Sequence, residues 1–460
     1  MTGESRNPGL QPATPALPRS IGFWGATGVM VAVIIGSGIF KAPPEIARWM
    51  SDPWAVLAFW LAGGLLALCG ALTYAELAVL HPRSGGVYVF LREAYGDATG
   101  FVFGWAYMLL IKPFAAGGIA IVFAEHFNAL FGITFDPRVE TCIALVLLTA
   151  INARGTVLAA GVAGVLTIIK AGALVAVVFG AVAAGRFVAG AMSPAPATVE
   201  PGGFVAGAVA VLSVVLWSYD GWNDGGSLAG EVTEPRRTLP RVLILGTLAV
   251  TALYVAVNAA FFAVVPLAEM RGRETIAPLV GQRLIGDAGA VVMSVVIILS
   301  TIGSSHASIL TGARVTWAQS RDGLMFSFLS RVSRRNTPAV ALWVQCALSC
   351  TAVLALGGFA ELAGGFVFCR WIFYGLAGAA IFVERARRPD APRPYRCVGY
   401  PIVPAVFVLS AAVMTGASIY NSPSTTLPWV AVLLAGWPIY HVWRRFGGGR
   451  AQNAAPHSGH

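Results

Sequence analysis

Two short stretches of the sequence place glycine and polar residues where a helix needs strong helix formers. The stretch VIIGSGIF, residues 33–40, sets Gly36, Ser37 and Gly38 inside an apolar run, and LWSYDGWNDGG, residues 216–226, crowds aspartate, asparagine and glycine into another. Glycine weakens a helix because ordering it costs more conformational entropy than ordering other residues. Each stretch therefore predicts a break in a helix, where backbone N–H and C=O groups become free for other partners.

The free backbone groups at these breaks predict the kind of ligand. A helix that restarts near Ile39 would offer N–H groups at its N-terminus, which attract a carboxylate, and the Ser37 hydroxyl could add a donor. The carbonyls just before the breaks, near Ile34 and Trp217, would accept hydrogen bonds from an ammonium group. A zwitterion such as an α-amino acid satisfies both ends. The alternative for residues 36–38 alone is close packing of helices, for which membrane proteins use small residues.

The composition of the chain is that of a membrane protein. Of its 460 residues, 57% are hydrophobic and only 11% are charged, whereas about a quarter are charged in soluble domains. Most of its apolar segments reach the roughly 20 residues that cross a bilayer as a helix. The sequence predicts an all-α polytopic membrane protein with twelve transmembrane helices, within residues 21–40, 54–80, 101–131, 139–153, 159–184, 204–228, 242–265, 289–311, 338–356, 359–383, 402–420 and 427–442.

The first and sixth of these segments carry the two breaks, and they open two possible halves of five helices each. Unpaired backbone groups cannot face lipid, so both breaks must lie within protein or line a watery cavity. Matched interruptions in corresponding helices of two repeats indicate the central binding site of a transporter.

The positive charges indicate the orientation of the chain in the membrane. The net charge is +10, and 21 of the 31 lysines and arginines fall in cytoplasmic segments when both termini are placed in the cytoplasm. This asymmetry follows the positive-inside rule and predicts a multi-pass protein of the inner (plasma) membrane. The rule explains the charge without a nucleic-acid partner. Contact with anionic lipid is the alternative role for the arginines between residues 385 and 396.

The cysteines and histidines form no pattern that binds a metal. The six cysteines lie mostly in apolar segments, and the six histidines are scattered, so the cysteines are interpreted as small hydrophobic residues. The sequence predicts no metal and no cofactor. A membrane enzyme would need converging nucleophiles or acid–base pairs, a channel a continuous polar pore, and ATP-driven transport a nucleotide-binding loop. A secondary transporter is the class that the pattern favours.

Four motifs closely resemble those of the L-type amino acid transporters of the amino acid, polyamine and organocation superfamily. They are IIGSGIF from Ile34, YAELAVLHPRSGGVYVFLREAYG from Tyr74, WSYDGWNDGGSLAGEVTEPRRTLP from Trp217 and STIGSSHASILTGARVTWAQSRDGLM from Ser300. The resemblance covers nearly the whole chain between its tails. It implies two inverted five-helix repeats followed by two extra helices, and alternating-access transport or exchange of amino acids without sodium.

The resemblance implies one transporter domain between two polar tails. The tails are predicted to be disordered and cytoplasmic. The resulting division places a tail at residues 1–20, the transporter domain at 21–445, its first repeat at about 21–184, its second repeat at about 203–384, its extra helices at about 401–443, and a tail at 446–460.

The resemblance also implies a set of substrate-binding residues. Trp217 matches an aromatic gate residue that closes over the substrate, although a tryptophan in a membrane protein more often packs or anchors. Lys170 matches a lysine whose ammonium takes the place of a sodium ion in sodium-coupled relatives. The backbone positions that match those holding the substrate carboxylate are Gly36, Ser37 and Gly38, and the carbonyls that match those holding its amino group are Ile34, Trp217 and Asp220.

The sequence departs from the family pattern at two places. Members that pair with a glycoprotein subunit carry a cysteine in the loop after the third span, but here that loop, FGITFDPRVE at residues 131–140, has none. A disulfide-linked heavy subunit is therefore not expected, and a stand-alone bacterial-type carrier is the better match. His306 is unusual at its position and is expected either to alter the wall of the pocket or to have no effect.

Ionisable residues inside the predicted spans need a reason, because burying a charge in a membrane is costly. Lys170 could alternatively be a structural partner of a freed carbonyl. Asp220 is expected to cap N–H groups released by unwinding, with attraction of a cationic substrate as the alternative. Glu76 is expected to pair with a cytoplasmic arginine. Lys112 and Arg370 lie deep in their segments, and the sequence suggests no partner for either.

The function predicted from these features is secondary transport of α-amino acids, with neutral amino acids favoured. Sodium-independent exchange and proton-linked uptake both remain open, and cationic amino acids or polyamines are the alternative substrates. Charged and polar residues at the cytoplasmic ends are expected to signal orientation or, as a set, to form an inner gate; they are Tyr88, Arg92, Glu93, Glu231, Glu234, Arg236 and Arg237.

Overall fold

The computed structural model describes residues 17–185, 188, 190–194, 203–421 and 423–446, and these residues are predominantly helical. A π-helical turn at Tyr107–Ile111 and 3₁₀ turns at Asp224–Leu228 and Ser327–Ser330 join some of the helices. The α-helices are α1 Phe23–Ile34, α2 Gly38–Ile46, α3 Pro53–Leu80, α4 Val87–Tyr95, α5 Asp97–Ala106, α6 Lys112–Phe131, α7 Pro137–Asn152, α8 Thr156–Ala184, α9 Gly203–Tyr219, α10 Pro235–Val264, α11 Leu267–Met270, α12 Ala277–Ile285, α13 Asp287–Arg321, α14 Ala339–Leu356, α15 Phe359–Arg387, α16 Ile402–Asn421 and α17 Pro423–Phe446.

Nine helical segments in the described part of the chain are long and apolar enough to cross a membrane. They confirm the prediction of an α-helical polytopic membrane protein. The three other predicted spans coincide with helices α7, α15 and α17. Helix α7 has 16 residues, fewer than the roughly 20 that cross a bilayer. The apolar segment predicted there, residues 139–153, is similarly short.

Both predicted helix breaks are present in the structure. Residues 35–37 separate α1 from α2, and residues 220–223 separate α9 from the 3₁₀ turn at Asp224–Leu228. The N–H of Asp220 donates to the carbonyl of Trp217 at 3.1 Å, so the last turn of α9 tightens before the helix ends. Each interruption falls where the sequence concentrates glycine.

The two breaks press against each other, which explains two of their glycines. A Cβ atom added to Gly38 would lie 2.7 Å from the Cα of Ser218, closer than real Cβ contacts come. Gly221 has a φ of +103°, and a Cβ there would overlap the side chain of Val33. Glycine therefore serves both purposes where the two breaks meet: it interrupts the helices, and it allows them to pack closely.

The longest helix, α13, passes the breaks and organises the core around them. It packs against α1, α6, α8 and α12, while α10 packs against α3 and α1. The π-helical turn at Tyr107–Ile111 immediately precedes Lys112, the first residue of α6. Such turns change the direction in which the following side chains point, and they are frequent at functional sites.

Residues 17–20, which the sequence assigns to the N-terminal tail, contact the rest of the described chain. Leu17 is buried, and the N–H groups of Ser20 and Ile21 donate to the carbonyl of Glu231 at 2.8 and 2.9 Å. Residues 17–20 of the predicted disordered tail are thus tied to the segment that follows the second break. The remainder of the predicted tails lies outside the described residues, apart from Phe446.

Candidate functional site

A small cavity lies between the two breaks. Its volume is about 30 Å³, which holds about two water molecules, so an amino acid could bind only if the surrounding helices moved apart. All six predicted substrate-binding residues line it, whereas Lys170 does not. The residues that line it are Val33, Ile34, Gly36, Ser37, Gly38, Lys112, Ala115, Ile119, Trp217, Ser218, Asp220, Ser308 and Arg370.

The first break supplies hydrogen-bond donors to this cavity. In the described part of the chain, the N–H groups of Ser37, Gly38 and Ile39 donate to no backbone carbonyl, as expected at the start of a helix. The Ser37 hydroxyl is buried and has no hydrogen-bond partner there. Unpaired donors therefore lie at residues 37–39, at a helix N-terminus that favours a carboxylate. The N–H of Gly36, which was also predicted to hold the carboxylate, instead donates to the carbonyl of Ile34.

The acceptor groups differ in part from those predicted. The carbonyl of Ile34 already accepts from the N–H of Gly36 and from the hydroxyl of Tyr254, each at 2.8 Å. Both of its lone pairs are thus occupied, and the expectation that it is free for an ammonium group is not met. Within the described residues, no group donates to the carbonyls of Val33, Ser218 or Asp220. These three carbonyls are the acceptors at the breaks, and the carbonyl of Trp217 accepts from the N–H of Asp220.

Four charged side chains form a network beside the cavity, three of them buried and Asp220 partly buried. Lys112 Nζ lies 2.5 Å from Asp224 Oδ2, and the Arg370 guanidinium lies 2.9 Å from Asp224 Oδ1 and 3.1 Å from Asp220 Oδ1. The Tyr374 hydroxyl donates to Asp220 at 2.7 Å. The prediction that Asp220 caps backbone N–H groups is therefore wrong, because its side chain pairs with Arg370 and Tyr374. Sequence reasoning missed these pairs, since the partners lie on distant helices.

Lys170 on α8 contacts the first break without lining the cavity. Its ammonium donates to the carbonyls of Ala32 and Ile35, at 2.7 and 2.5 Å, and to the Ser304 hydroxyl at 3.0 Å. Ser304 and Ser300 on α13 donate to the carbonyl of Ile35 as well. The lysine thereby joins α8 and α13 to carbonyls that the break releases from α1.

Trp217 and His306 occupy different kinds of position. Trp217 is half-buried and lines the cavity, next to Ser218 at the point where the two breaks meet. His306 is not among the lining residues; its ring nitrogens lie 3.0 Å from Asn152 Nδ2 and 2.9 Å from the carbonyl of Ala159. Of the two alternatives for His306, alteration of the pocket wall is therefore not met, since the residue joins α13 to α7 and α8.

Glu76 forms the expected ion pair with arginines, one at the end of α15 and one in the loop after it. It accepts two hydrogen bonds from Arg385, at 2.9 and 2.7 Å, and lies 3.2 Å from Arg393. The N–H of Cys397 also donates to it at 2.6 Å. The carboxylate is fully buried, so these contacts compensate its charge and attach the loop after α15 to α3.

Only some of the residues predicted to form an inner gate make contacts with other charged or polar side chains of the core. Tyr88 donates to Asp322 at 3.0 Å, and Arg92 lies 2.7 Å from both Asp97 and Asp322. A second pair, Glu231 with Arg314 at 2.8 Å, is completely buried. These contacts join α4 and the segment after the second break to α13. Three of the other four members, Glu234, Arg236 and Arg237, are exposed and, within the described part of the chain, form no ion pair with these side chains.

Glu93, another member of the set, has a perturbed pKa. It pairs with Arg83 and lies 3.4 Å from Arg388. Burial raises its pKa, but the charges of Arg83 and His81 lower it by more, so the pKa lies below its usual value. Its contribution to stability is present at neutral pH and is lost as the pH falls through that lowered pKa.

Comparison with known proteins identifies the class to which this fold and site belong. The amino acid permease family matches residues 21–440, and the chain belongs to this family. It is 29% identical to the b(0,+)-type amino acid transporter 1 of Homo sapiens, over 96% of this chain and 91% of that protein.

Two further relatives extend the comparison. The chain is 31% identical to the large neutral amino acids transporter small subunit 2 of Mus musculus, over 93% of this chain and 81% of that protein. It is 29% identical to the serine/threonine exchanger SteT of Bacillus subtilis (strain 168), over 93% of this chain and 98% of that protein. The resemblance to the L-type amino acid transporters is thereby confirmed, and the chain is a member of the amino acid, polyamine and organocation superfamily.

Proposed function

We propose that this protein carries α-amino acids across a membrane by alternating access, as a secondary transporter. The observation that carries the proposal is the pairing of free donors with free acceptors across one cavity. The N–H groups of Ser37 and Gly38 and the Ser37 hydroxyl belong to residues on one side, and the carbonyls of Ser218 and Asp220 belong to residues on the other. The names of the relatives, which include amino acid transporters and an exchanger, support the same substrate class.

In the proposed complex the substrate carboxylate accepts from the N–H groups of Ser37, Gly38 and Ile39. Its ammonium group donates to the carbonyls at the end of α9 and to that of Val33, which replaces Ile34 in this role. Both contacts are charge-assisted hydrogen bonds, which are stronger than neutral ones. A substrate that loses either charge would lose one end of its binding site.

Neutral amino acids are the proposed substrates, with cationic amino acids or polyamines as the alternative. Asp220 could attract a cationic side chain only if its carboxylate were available. It is instead held by Arg370 and Tyr374, and Asp224 is held by Lys112 and Arg370. A cationic side chain would have to displace one of these partners.

The architecture proposed for the carrier has twelve transmembrane helices, in two inverted five-helix repeats with two extra helices. The matched breaks after α1 and after α9 support the repeats. Its proposed location is the inner membrane with both termini in the cytoplasm, and its proposed form has no disulfide-linked heavy subunit. Exchange is favoured over proton-linked uptake by the exchanger among the relatives.

The carboxylate site can be tested with substrate analogues. Methyl esters of transported amino acids should fail to compete for uptake into proteoliposomes, because an ester cannot accept from three N–H groups as a carboxylate does. The parent acids serve as positive controls, and N-acetylated acids test the ammonium contact in the same assay. An ester that competes as well as its parent acid would show that the carboxylate does not bind at residues 37–39.

Trp217 is proposed to act as the gate, because it lines the cavity at the meeting point of the breaks. Trp217→Ala should lower uptake about tenfold while lowering the melting temperature of the purified protein by only a few degrees. Trp60, which is fully buried on α3 and does not line the cavity, is the control: Trp60→Ala should mainly reduce stability. Equal losses of uptake and stability in Trp217→Ala would instead assign Trp217 to packing.

A further inference from the structure

The electrical balance of the charges beside the cavity has a consequence for selectivity. Of the described side chains that line the cavity, the charged ones are Lys112, Asp220 and Arg370. Asp224, which lies behind them, contacts both Lys112 and Arg370. The four side chains are at most 17% exposed, and Asp224 is 1% exposed. Two positive and two negative charges therefore sit together in a site that excludes most water.

A fifth charge would enter this site at a cost. An ion that leaves water for a protein interior needs a compensating partner, and the potential partners here already compensate one another. A carboxylate side chain would compete with Asp220 and Asp224 for the same two cations. An ammonium side chain would compete with Lys112 and Arg370 for the same two anions. An uncharged side chain disturbs neither set of pairs.

We propose that Lys112, Asp224 and Arg370 are specificity-determining residues that exclude charged side chains by keeping the substrate cavity electrically neutral. The proposal rests on the proposed function and specifies its substrate class, which is α-amino acids with uncharged side chains. Selectivity then arises from a balance of buried charges. It does not arise from an absence of charge in the wall.

Asp224 is the member on which the balance depends. It takes hydrogen bonds from Lys112, Arg370 and, at 2.7 Å, the Thr311 hydroxyl, but it is not part of the cavity wall. Its replacement by asparagine preserves the shape of the side chain and leaves two cations facing one anion. The cavity would then carry one excess positive charge that an acidic substrate side chain could compensate.

The test measures uptake of labelled alanine, glutamate and lysine by proteoliposomes. Asp224→Asn should raise the ratio of glutamate to alanine uptake about tenfold, and Lys112→Gln should raise the ratio of lysine to alanine by a similar factor, as the unscreened charge of a buried site predicts. The double variant Lys112→Gln/Asp224→Asn is again balanced, and both ratios should return toward those of the wild type. Gel filtration and melting temperature establish which variants are folded.

The outcomes separate this inference from the proposed function. If the wild type takes up no member of a full panel of α-amino acids, the proposed function itself is wrong. If the wild type takes up alanine but takes up glutamate or lysine equally well, the charge-balance inference fails, and this result requires no variant. The inference also fails if the folded single variants keep the wild-type ratios, or if both single variants shift selectivity in the same direction.

Discussion

Lys170→Ala is expected to fold and to insert into the membrane but to transport amino acids at about a tenth of the wild-type rate or less. The ammonium of Lys170 binds the carbonyls of Ala32 and Ile35 and the hydroxyl of Ser304. Alanine leaves these buried acceptors without their charged donor, at a cost of about 1 to 3 kcal/mol. A change of that size shifts a balanced conformational equilibrium by roughly tenfold or more. Uptake into proteoliposomes, normalised to reconstituted protein, gives the measurement.

The same experiment tests whether Lys170 stands in for sodium. A sodium ion in two-repeat carriers is held by freed carbonyls near a broken helix, and the Lys170 ammonium supplies one positive charge at such carbonyls. Wild-type uptake should therefore be unchanged when choline replaces sodium. Ile168→Ala, at a position 74% exposed on the same helix, is the matched control and should transport normally. Robust transport by Lys170→Ala, or wild-type uptake that collapses in choline, would rule out this role.

Gly38→Ala is expected to abolish most transport. Its Cβ would lie 2.7 Å from the Cα of Ser218, so the start of α2 would have to move away from the end of α9. Overpacking of this kind typically costs about 1 to 3 kcal/mol. The movement would also displace the N–H groups of Gly38 and Ile39, which are proposed to bind the substrate carboxylate. Uptake should fall at least about tenfold, and the apparent affinity for alanine should weaken.

The control for this substitution is a helical glycine in open space. A Cβ added to Gly172 on α8 meets no atom within 4 Å, and alanine is the better helix former by about 1 kcal/mol. Gly172→Ala should therefore preserve transport and keep or raise the melting temperature. If Gly38→Ala transports as well as Gly172→Ala does, the close approach of the two breaks is not needed for function.

The positions of the helix breaks could be predicted from the sequence because their causes are local. Glycine and polar residues interrupt apolar runs at residues 36–38 and 220–226, and the cost of placing them in a helix depends little on the rest of the fold. Lys170 could be singled out for a similar reason, since a lysine in an apolar segment requires acceptors. The apolar segments likewise predicted the helices, because length and hydrophobicity decide which segments can cross a bilayer.

The partners of the buried charges could not be predicted because they depend on packing between distant segments. Lys112 meets Asp224 across 112 positions of sequence, and Arg370 meets Asp224 across 146. The capping role expected for Asp220 was wrong for this reason: local geometry suggested its own backbone, whereas Arg370 arrives from α15. The Ile34 carbonyl was likewise expected to be free, but the Tyr254 hydroxyl reaches it from α10.

Uptake of labelled amino acids by proteoliposomes containing the wild-type protein tests the central claim most directly. A panel of neutral, cationic and anionic amino acids would be offered to vesicles that are either empty or preloaded with unlabelled alanine, beside vesicles without protein. We expect uptake of neutral α-amino acids above the protein-free level, faster into preloaded vesicles and equal in sodium and in choline. If no α-amino acid enters either kind of vesicle faster than it enters protein-free vesicles, the protein is not the carrier proposed.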